Sequence, residues 1–414
     1  MDDEQYGCAI PSHLESRKVM LSSPWVRVMT CAAVLSVVLG AANTTACLHY
    51  RGRCEADWMG ELPLSVRSLP LWDVILPASH DSAAHTLNFS ATPSIRGPGK
   101  EVFQVLLDLA RDQRTSALVA GPIEALTVTQ PLSIAAQLEQ GVRALDFRVL
   151  YNRTSGSFFF SHTYAAVDMR SGLDALAAFL RRHPTEVLVV QLSADYQHRP
   201  QVLPLLDHVL GNVTEALGEW LMPFNASADF AAEGMSLERL ASNDRRVLFV
   251  CGESFNATAP YGPWVWPSGT VTSFWPNAQT VNASMSRIVE YLNGTSQHDA
   301  GALGTPHDAT ALARGYPPNR RLAIPVNNTN QLNLVFFTLT PDVQSIVADV
   351  LEHLGNLTNM TSLRDYADWM RPPTEAALET FVGRMNRPLH LVSVDWPTDD
   401  LVGLVIGLNL RARK

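Results

Sequence analysis

Beyond Asp57 the chain alternates between short apolar runs and longer segments with helical periodicity. The runs are rich in β-branched and aromatic residues, and most are followed by a polar loop and by apolar residues at three- or four-residue steps. Eight such runs predict a single α/β domain built as a (β/α)8 TIM-type barrel, either regular or distorted and incompletely closed. The predicted strands are Asp73–Leu76, Val142–Val149, Ser157–Ser161, Glu186–Leu192, Arg246–Cys251, Thr270–Phe274, Leu332–Leu339 and Leu389–Val394.

Helices are predicted between these strands, and two insertions lengthen the loops. Ala91–Ala125 contains an apolar helical patch, which suits a lid. Phe255–Pro276 places Tyr261, Trp264, Trp266, Phe274 and Trp275 among prolines and glycines, a composition that suits either insertion into a membrane interface or packing beneath a long loop. The predicted helices are Pro131–Gln140, Leu173–Arg182, Val202–Leu210, Val281–Leu292, Val343–Leu354 and Thr374–Met385.

The N-terminal part has a different composition from the barrel. Residues 1–24 form a polar leader, and residues 25–46 include the uncharged apolar run Val28–Ala42 with a basic flank, as in a signal peptide or signal anchor. At about 1.5 Å per residue this run extends roughly 22 Å, short of a hydrocarbon core of about 30 Å, so cleavage and anchoring both stay open, as does a buried helix. We assign residues 47–69 to an N-terminal lumenal segment and 70–411 to the barrel.

Asparagine sequons indicate the compartment. The chain contains eleven N-x-S/T sequons, which matter only in the secretory pathway, so we predict a secreted or membrane-anchored glycoprotein with a lumenal or extracellular barrel. Cys47 and Cys54 form either a small disulfide loop or free thiols, whereas Cys251 lies in an apolar strand and is predicted to be a core residue.

Charge and composition narrow the class of ligand. The formal net charge is −9, and no lysine or arginine run exceeds a short pair, so the chain lacks the electrostatic footprint of a nucleic-acid-binding protein. No cysteine and histidine spacing matches a zinc site. A small or lipid-like substrate fits better, and the sequence does not indicate an oligomeric state.

Polar residues that can carry chemistry follow four of the predicted strands. In a barrel the carboxyl ends of the strands meet at one face, where catalytic side chains gather. A single histidine after a strand is more often structural, and an Asp-x-Arg pair is usually an ion pair, but together they supply the base, the acid and the cation that intramolecular phosphoryl transfer requires. The four motifs are Ser79-His80-Asp81-Ser82, Asp146-Phe147-Arg148, Ser161-His162 and Val394-Asp395-Trp396.

The order of these motifs resembles a known family. The segments ILPASHDSAAHTL, QPLSIAAQLEQGVRALDFRV, FFFSH, HPTEVLVVQLS and VSVDWPTDDLVGLVIGLN, over about residues 70–410, resemble the X-domain of phosphatidylinositol-specific phospholipase C, and in particular its small single-domain members, which include bacterial and glycosylphosphatidylinositol-cleaving enzymes. The resemblance implies cleavage of such a lipid at a membrane surface into diacylglycerol and a cyclic inositol phosphate. Two alternatives stay open: the same chemistry on another phospholipid or lysolipid, and a catalytically silent glycosylated binding protein.

The resemblance also implies a role for each site residue. His80 matches the general base and Asp395 the carboxylate that orients it, while His162 matches the general acid. Asp81 and Asp146 would support protonation and orientation.

Arg148 bears on the cofactor and the substrate. It matches the residue that stabilises the developing phosphorane charge, and it stands where calcium-dependent relatives carry an acidic calcium ligand, so we expect no metal and no other cofactor. In bacterial members, basic residues after the fourth and fifth strands hold the inositol phosphate. The stretches 192–195 and 250–253 contain none, which leaves the head group open.

Overall fold

The computed structural model describes residues 49–50, 53–96, 99–224, 235–295, 301–302, 331–341, 361–381, 384–385 and 388–411. One compact unit spans Cys47–Lys414. The apolar run Val28–Ala42, the predicted helix Val343–Leu354 and Cys47 lie outside the described residues. Among the residues described, no helix combines the length and apolar character needed to cross a bilayer.

The main sheet contains eleven strands and is surrounded by helices, and a separate pair of two-residue strands, His49–Tyr50 and Arg53–Cys54, precedes it. The strands of the main sheet are β1 Leu76–Ser79, β2 Ala144–Asn152, β3 Ser157–His162, β4 Tyr164–Asp168, β5 Leu188–Ala194, β6 Val247–Cys251, β7 Trp266–Pro267, β8 Val271–Phe274, β9 Gly301–Ala302, β10 Leu332–Phe336 and β11 Leu391–Val394. The α-helices are α1 Trp58–Glu61, α2 Leu64–Arg67, α3 Lys100–Arg111, α4 Ser116–Thr127, α5 Ile134–Glu139, α6 Met169–Arg182, α7 Arg199–Val202, α8 Leu206–Leu217, α9 Leu237–Ser242, α10 Val281–Leu292, α11 Leu363–Phe381 and α12 Asp399–Arg411.

Eight of these strands run parallel in a curled sheet, in the order β8-β10-β11-β1-β2-β5-β6-β7. The α/β class and the barrel-type architecture are therefore confirmed. The two ends of this order, β7 and β8, are neighbours in the chain, separated only by the 3-10 turn Ser268–Thr270. The two ends of the parallel sheet are thus joined through the chain itself, by this short turn. A ladder of hydrogen bonds between two full-length strands would be the regular alternative.

The prediction that Ser157–Ser161 is the third parallel strand is wrong. This segment lies in β3, which pairs antiparallel with β2, and β4 pairs antiparallel with β3. Only four residues, 153–156, connect β2 to β3, whereas a parallel neighbour requires a crossover of a dozen or more residues. The place of an eighth parallel strand is taken by the two-residue β7.

The predicted helices differ from the observed ones mainly in where they begin. Val281–Leu292 is observed with the predicted bounds, after an N-cap at Thr280. The helix predicted at Leu173 begins at Met169, because the Asp168 side chain accepts a hydrogen bond from the Ser171 N–H and caps the first turn. The helix predicted at Thr374–Met385 is the end of α11, which begins at Leu363 and ends at Phe381.

The segment before β1 packs into the main core. Trp58 and Met59 are each 1% exposed, and the Trp58 indole N–H donates to the Gly141 carbonyl at 3.0 Å. A buried ion pair holds this segment: Arg143 and Glu186 approach to 2.7 Å, Arg143 donates to the Ala56 carbonyl, and Glu186 accepts from the Met59 N–H. Because neither charge meets water, the pair depends on these backbone partners. The domain boundary placed at residue 70 stays a prediction.

Candidate active site

The structure brings together all six side chains that the sequence singles out, at the carboxyl ends of the parallel strands. β1 leads into His80 and Asp81, β2 carries Asp146 and Arg148, and Asp395 follows β11. His162 arrives differently, as the last residue of the antiparallel strand β3. The β2–β3 hairpin therefore supplies one site residue from outside the parallel barrel.

His80 has a charged partner at each ring nitrogen. Its Nδ1 lies 2.8 Å from Asp395 Oδ1, and its Nε2 lies 3.1 Å from both Asp81 Oδ2 and Arg148 Nη2. A protonated Nε2 donates to Asp81, whereas an unprotonated Nε2 accepts from the guanidinium. Burial lowers the pKa of His80, but the carboxylates of Asp81 and Asp395 outweigh it and raise the pKa to about 9.

His162 faces the same carboxylate from the other side. Its Nδ1–H donates to the Thr127 carbonyl at 2.7 Å, which fixes Nε2 as the atom that enters the site. That Nε2 lies 3.5 Å from Asp81 Oδ2, and the two imidazole rings are 6.2 Å apart between centroids. One oxygen of Asp81 is thus shared by the Nε2 atoms of two histidines. The Nδ1 atom of His80 is hydrogen-bonded to a carboxylate, whereas that of His162 is hydrogen-bonded to a backbone carbonyl.

The guanidinium of Arg148 contacts three other side chains of the site. Its Nε lies 2.8 Å from Asp81 Oδ1, and its Nη2 lies 3.6 Å from Asp146 Oδ2 and 3.1 Å from His80 Nε2. Within the described ranges, His80, Asp81 and Asp146 are also the one group of side chains whose ligand atoms lie close enough to hold a metal ion. The arginine therefore supplies a fixed positive charge to the same three residues.

The two aspartates beside Arg148 respond to it differently. Burial raises the pKa of Asp81, but Arg148 and the two histidines outweigh burial and lower it, so Asp81 stays ionised. Burial also raises the pKa of Asp146, and there the Asp81 charge adds to the increase against the opposing effect of Arg148. The pKa of the carboxylate shared by the histidines is therefore shifted downwards, whereas the pKa of the neighbouring Asp146 is shifted upwards.

Three residues that support His162 are not evident from the sequence. Thr127 contributes only its carbonyl. Asp195 Oδ2 accepts from the Thr163 N–H at 2.9 Å, and His198 Nε2 donates to the Thr163 carbonyl at 2.7 Å. Thr163 has a φ of +63°, so these two bonds hold a left-handed residue directly after His162. Asp195 directly follows a strand, which makes it recognisable as a possible site residue. Its sequence context does not show that its partner is the Thr163 N–H.

A basic side chain reaches the ends of β5 and β6, although the stretches 192–195 and 250–253 contain no lysine or arginine. Arg199, at the start of α7, places its Nη2 2.6 Å from Glu253 Oε2, while Glu253 Oε1 accepts from the Ala194 N–H at 3.2 Å. Burial raises the pKa of Glu253, and Arg199 counteracts this increase. The stretches 192–195 and 250–253 themselves contain no basic residue, but the guanidinium of Arg199 reaches Glu253 from the helix that follows β5.

Aromatic residues form one wall of the site. The Phe336 ring lies 5.2 Å from the His80 ring, edge to face, and the Trp275 ring lies 6.3 Å from it. Trp275 is 37% exposed, whereas the other aromatics of the 255–276 insertion that we considered for the membrane are buried or half-buried. The structure therefore favours packing for Tyr261, Trp264, Trp266 and Phe274, and leaves Trp275 at the rim of the site.

Comparisons with known proteins agree with this architecture. No family model matches the sequence. PI-PLC X domain-containing protein 2 of Mus musculus is 28% identical over 333 residues, which cover 78% of this chain and 81% of that protein. PI-PLC X domain-containing protein 1 of Danio rerio is 31% identical over 143 residues, 34% of this chain and 44% of that protein.

A solved structure of phosphatidylinositol-specific phospholipase C from S. aureus, described for its membrane binding, matches 86% of this chain and 97% of its own, with 13% identity and a TM-score of 0.50. At this identity the match supports the fold alone. Together with the curated relatives it confirms the expected resemblance. The chain is similar in sequence to PI-PLC X domain-containing proteins and in fold to phosphatidylinositol-specific phospholipase C.

Proposed function

We propose that this protein cleaves the phosphodiester bond of phosphatidylinositol or of a glycosylphosphatidylinositol-type lipid, giving diacylglycerol and a cyclic inositol phosphate. The observation that carries the proposal is the arrangement of His80 and His162 around one ionised carboxylate oxygen of Asp81. Two imidazoles that point into one space can take a proton on one side of a phosphate and return one on the other.

His80 is the proposed base. In the molecules whose Nε2 carries no proton, this atom removes the proton of the inositol 2-hydroxyl, and the hydroxyl oxygen forms the new bond to phosphorus. Asp395 at Nδ1 stabilises the imidazolium that results. Because the pKa of His80 is about 9 in the free site, only a fraction of the molecules carries the reactive form near neutral pH.

His162 is the proposed acid. Its Nδ1 is held by a backbone carbonyl, so the proton on Nε2 is the one available for transfer. As the bond from phosphorus to the diacylglycerol oxygen breaks, Nε2–H protonates that oxygen, and Asp81 stabilises the charged form of His162 until then. Asp146 contributes less directly, through its position beside Arg148 and the Asp81 backbone.

Arg148 is the proposed substitute for a metal ion. Its guanidinium contacts the three residues that could otherwise bind a cation, and it is oriented by Asp81. A guanidinium can donate to two phosphate oxygens and so stabilise the charge that develops on them. We therefore propose that catalysis needs no metal and no other cofactor.

A second candidate keeps the chemistry but changes the lipid. The Arg199–Glu253 pair supports it, since the cation near the ends of β5 and β6 is already bonded to a carboxylate. Such a pair suits a head group that offers both donors and acceptors, which includes inositol but also other polar head groups. A catalytically silent barrel is the third reading.

The decisive experiment compares lipids with the purified full-length chain. Vesicles of phosphatidylinositol and of phosphatidylglycerol, whose head group also carries a hydroxyl next to the phosphate ester, are incubated with the protein and with EDTA, and phosphorus NMR identifies the products. We expect a cyclic phosphate from the first lipid only, and a loss of more than about 100-fold in His80→Ala and His162→Ala. Circular dichroism checks that both variants fold. Release of no product from phosphatidylinositol or, assayed in the same way, from a glycosylphosphatidylinositol lipid would refute the proposal, and cleavage of phosphatidylglycerol alone would favour the second candidate.

We also propose that the barrel works in the secretory pathway or outside the cell, on a membrane surface. The proposal is supported by the eleven sequons and by the apolar run Val28–Ala42. Removal of N-glycans from the protein expressed in mammalian cells should increase its gel mobility. Unchanged mobility, with the protein accessible to protease in the cytosol of permeabilised cells, would contradict it.

A further inference from the structure

We infer that Thr127–Gln130, here named the bridging segment, positions the proposed base and acid relative to each other, and that Thr129 is its principal positioning residue. The inference rests on the proposed function, because the roles of base and acid come from it. The segment begins at Thr127, the last residue of α4, and continues through the three residues after the helix.

The bridging segment contacts the backbone of His80 and Asp81. The Thr129 hydroxyl lies 3.2 Å from the carbonyl oxygens of both residues. The Gln130 side-chain amide donates to the same His80 carbonyl at 2.6 Å. Asp81 has a φ of +43°, a conformation that residues other than glycine rarely adopt. Two side chains of the bridging segment thus hold the backbone on which the base and the shared carboxylate are mounted.

The bridging segment also contacts the proposed acid, His162, and the loop after β11. Thr127 supplies the carbonyl that holds His162 Nδ1. The Thr129 carbonyl accepts from the Trp396 N–H at 2.9 Å, and the Val128 carbonyl accepts from the Trp396 indole at 3.1 Å. Trp396 follows Asp395 and has a φ of +49°. The bridging segment therefore contacts every loop that carries a proposed acid, base or orienting carboxylate.

The segment is itself anchored at one point. The backbone N–H groups of Thr129 and Gln130 both donate to the Ala84 carbonyl, at 3.0 and 3.2 Å. Thr129 is 1% exposed and Gln130 is fully buried, so both are removed from substrate. Loss of the Thr129 hydroxyl should therefore let the His80–Asp81 peptide shift without removing any contact to the lipid. Such a change lowers the rate of the chemical step and leaves substrate binding intact.

The experiment compares three variants of the full-length chain. Thr129→Val removes the hydroxyl but keeps the shape, Thr129→Ser keeps the hydroxyl, and Thr374→Val is the matched control. Thr374 is also 1% exposed and donates to a backbone carbonyl, that of Met370, within α11. On phosphatidylinositol vesicles we expect kcat of Thr129→Val to fall roughly 10- to 100-fold with KM within about twofold of wild type, and both other variants to stay within about threefold.

Three results would overturn the inference: wild-type kcat in Thr129→Val, a loss in Thr129→Ser as large as in Thr129→Val, or an equal loss in Thr374→Val. If the wild-type chain cleaves no lipid, the proposed function fails, and the positioning role is read from nitrogen NMR of the imidazoles. Thr129→Val should then move the signals of His80 and His162, and Thr374→Val should not. Unmoved signals overturn the inference. Should Thr129→Val not fold, Gln130→Met removes the second donor to the same carbonyl and is measured with the same expectations.

Discussion

Arg148 Nε lies 2.8 Å from Asp81 Oδ1, on the opposite side of the carboxylate from the two histidines. One oxygen of Asp81 therefore orients the guanidinium, and the other lies beside both groups that exchange protons. Arg148 also reaches His80 directly, with its Nη2 3.1 Å from His80 Nε2, and together with the two histidines it keeps Asp81 ionised.

Replacement of Arg148 tests whether its positive charge stabilises the phosphate oxygens as a bound metal ion would. We expect Arg148→Ala to lower kcat/KM by roughly 100- to 1,000-fold, because the charge on the phosphate oxygens then has no fixed partner. Wild-type activity should be the same in EDTA and in calcium. Activity of Arg148→Asp is measured with and without calcium, and rescue would show that the site accepts either kind of cation. Strong calcium stimulation of the wild type would contradict the proposal.

The pH dependence follows from the raised pKa of His80. The base acts only without its proton and the acid only with its proton, so the profile of kcat/KM against pH should be bell-shaped, with the His80 pKa of about 9 as one of the two values that set it. Asp395→Asn removes one of the two carboxylates that raise this pKa and should move that value to lower pH. The measurement is kcat/KM on phosphatidylinositol vesicles between pH 5 and 10. A profile that falls over this whole range would exclude His80 as the base.

Asp195 tests the support of the acid. Asp195→Asn weakens the bond to the Thr163 N–H, so His162 should be less well oriented, and we expect kcat to fall about 10-fold with KM little changed. Asp365→Asn is the matched control, because Asp365 also accepts from a backbone N–H, that of Ser362, but far from His80 and His162 in sequence. Equal kcat values for the two variants would mean that Asp195 has no particular connection to the acid.

Trp275 tests the membrane surface. It is exposed at the rim of the site, and an indole there can enter the lipid interface. We expect Trp275→Ala to raise the apparent KM for vesicles about 10-fold while turnover of a water-soluble inositol phosphodiester stays near wild type. Leu64→Ala, which changes an apolar residue 58% exposed on α2, should alter neither value. A parallel loss on both substrates would indicate that Trp275 shapes the site itself.

Much of the site is predictable from the sequence because it consists of side chains with distinctive chemistry. His80 and Asp395 each follow a recognisable apolar strand and Arg148 lies in another, and a parallel sheet brings its strand ends together. The role of β3 was not predictable in the same way. Its apolar pattern suits a parallel or an antiparallel strand equally well, and only the four-residue connection to β2 distinguishes them.

The supporting contacts are hidden for a different reason. Thr127 holds His162 through its own backbone carbonyl, and the side chains of Thr129 and Asp195 bind backbone groups of other residues. A backbone carbonyl or N–H has the same chemistry at nearly every position. Arg199 was missed because it reaches the ends of β5 and β6 from the helix that follows. Such contacts depend on tertiary structure that local patterns do not encode.

Asp81, Thr163 and Trp396 are three of the five non-glycine residues with positive φ in the described chain, and each directly follows a site residue. A left-handed L-residue costs roughly 1–2 kcal/mol, so these loops are held against their own backbone preference by the hydrogen bonds around them. When those bonds open on warming, all three loops can relax while the sheet is still intact. The protein should therefore lose its reactive geometry at a lower temperature than its fold, and inactivation should precede melting.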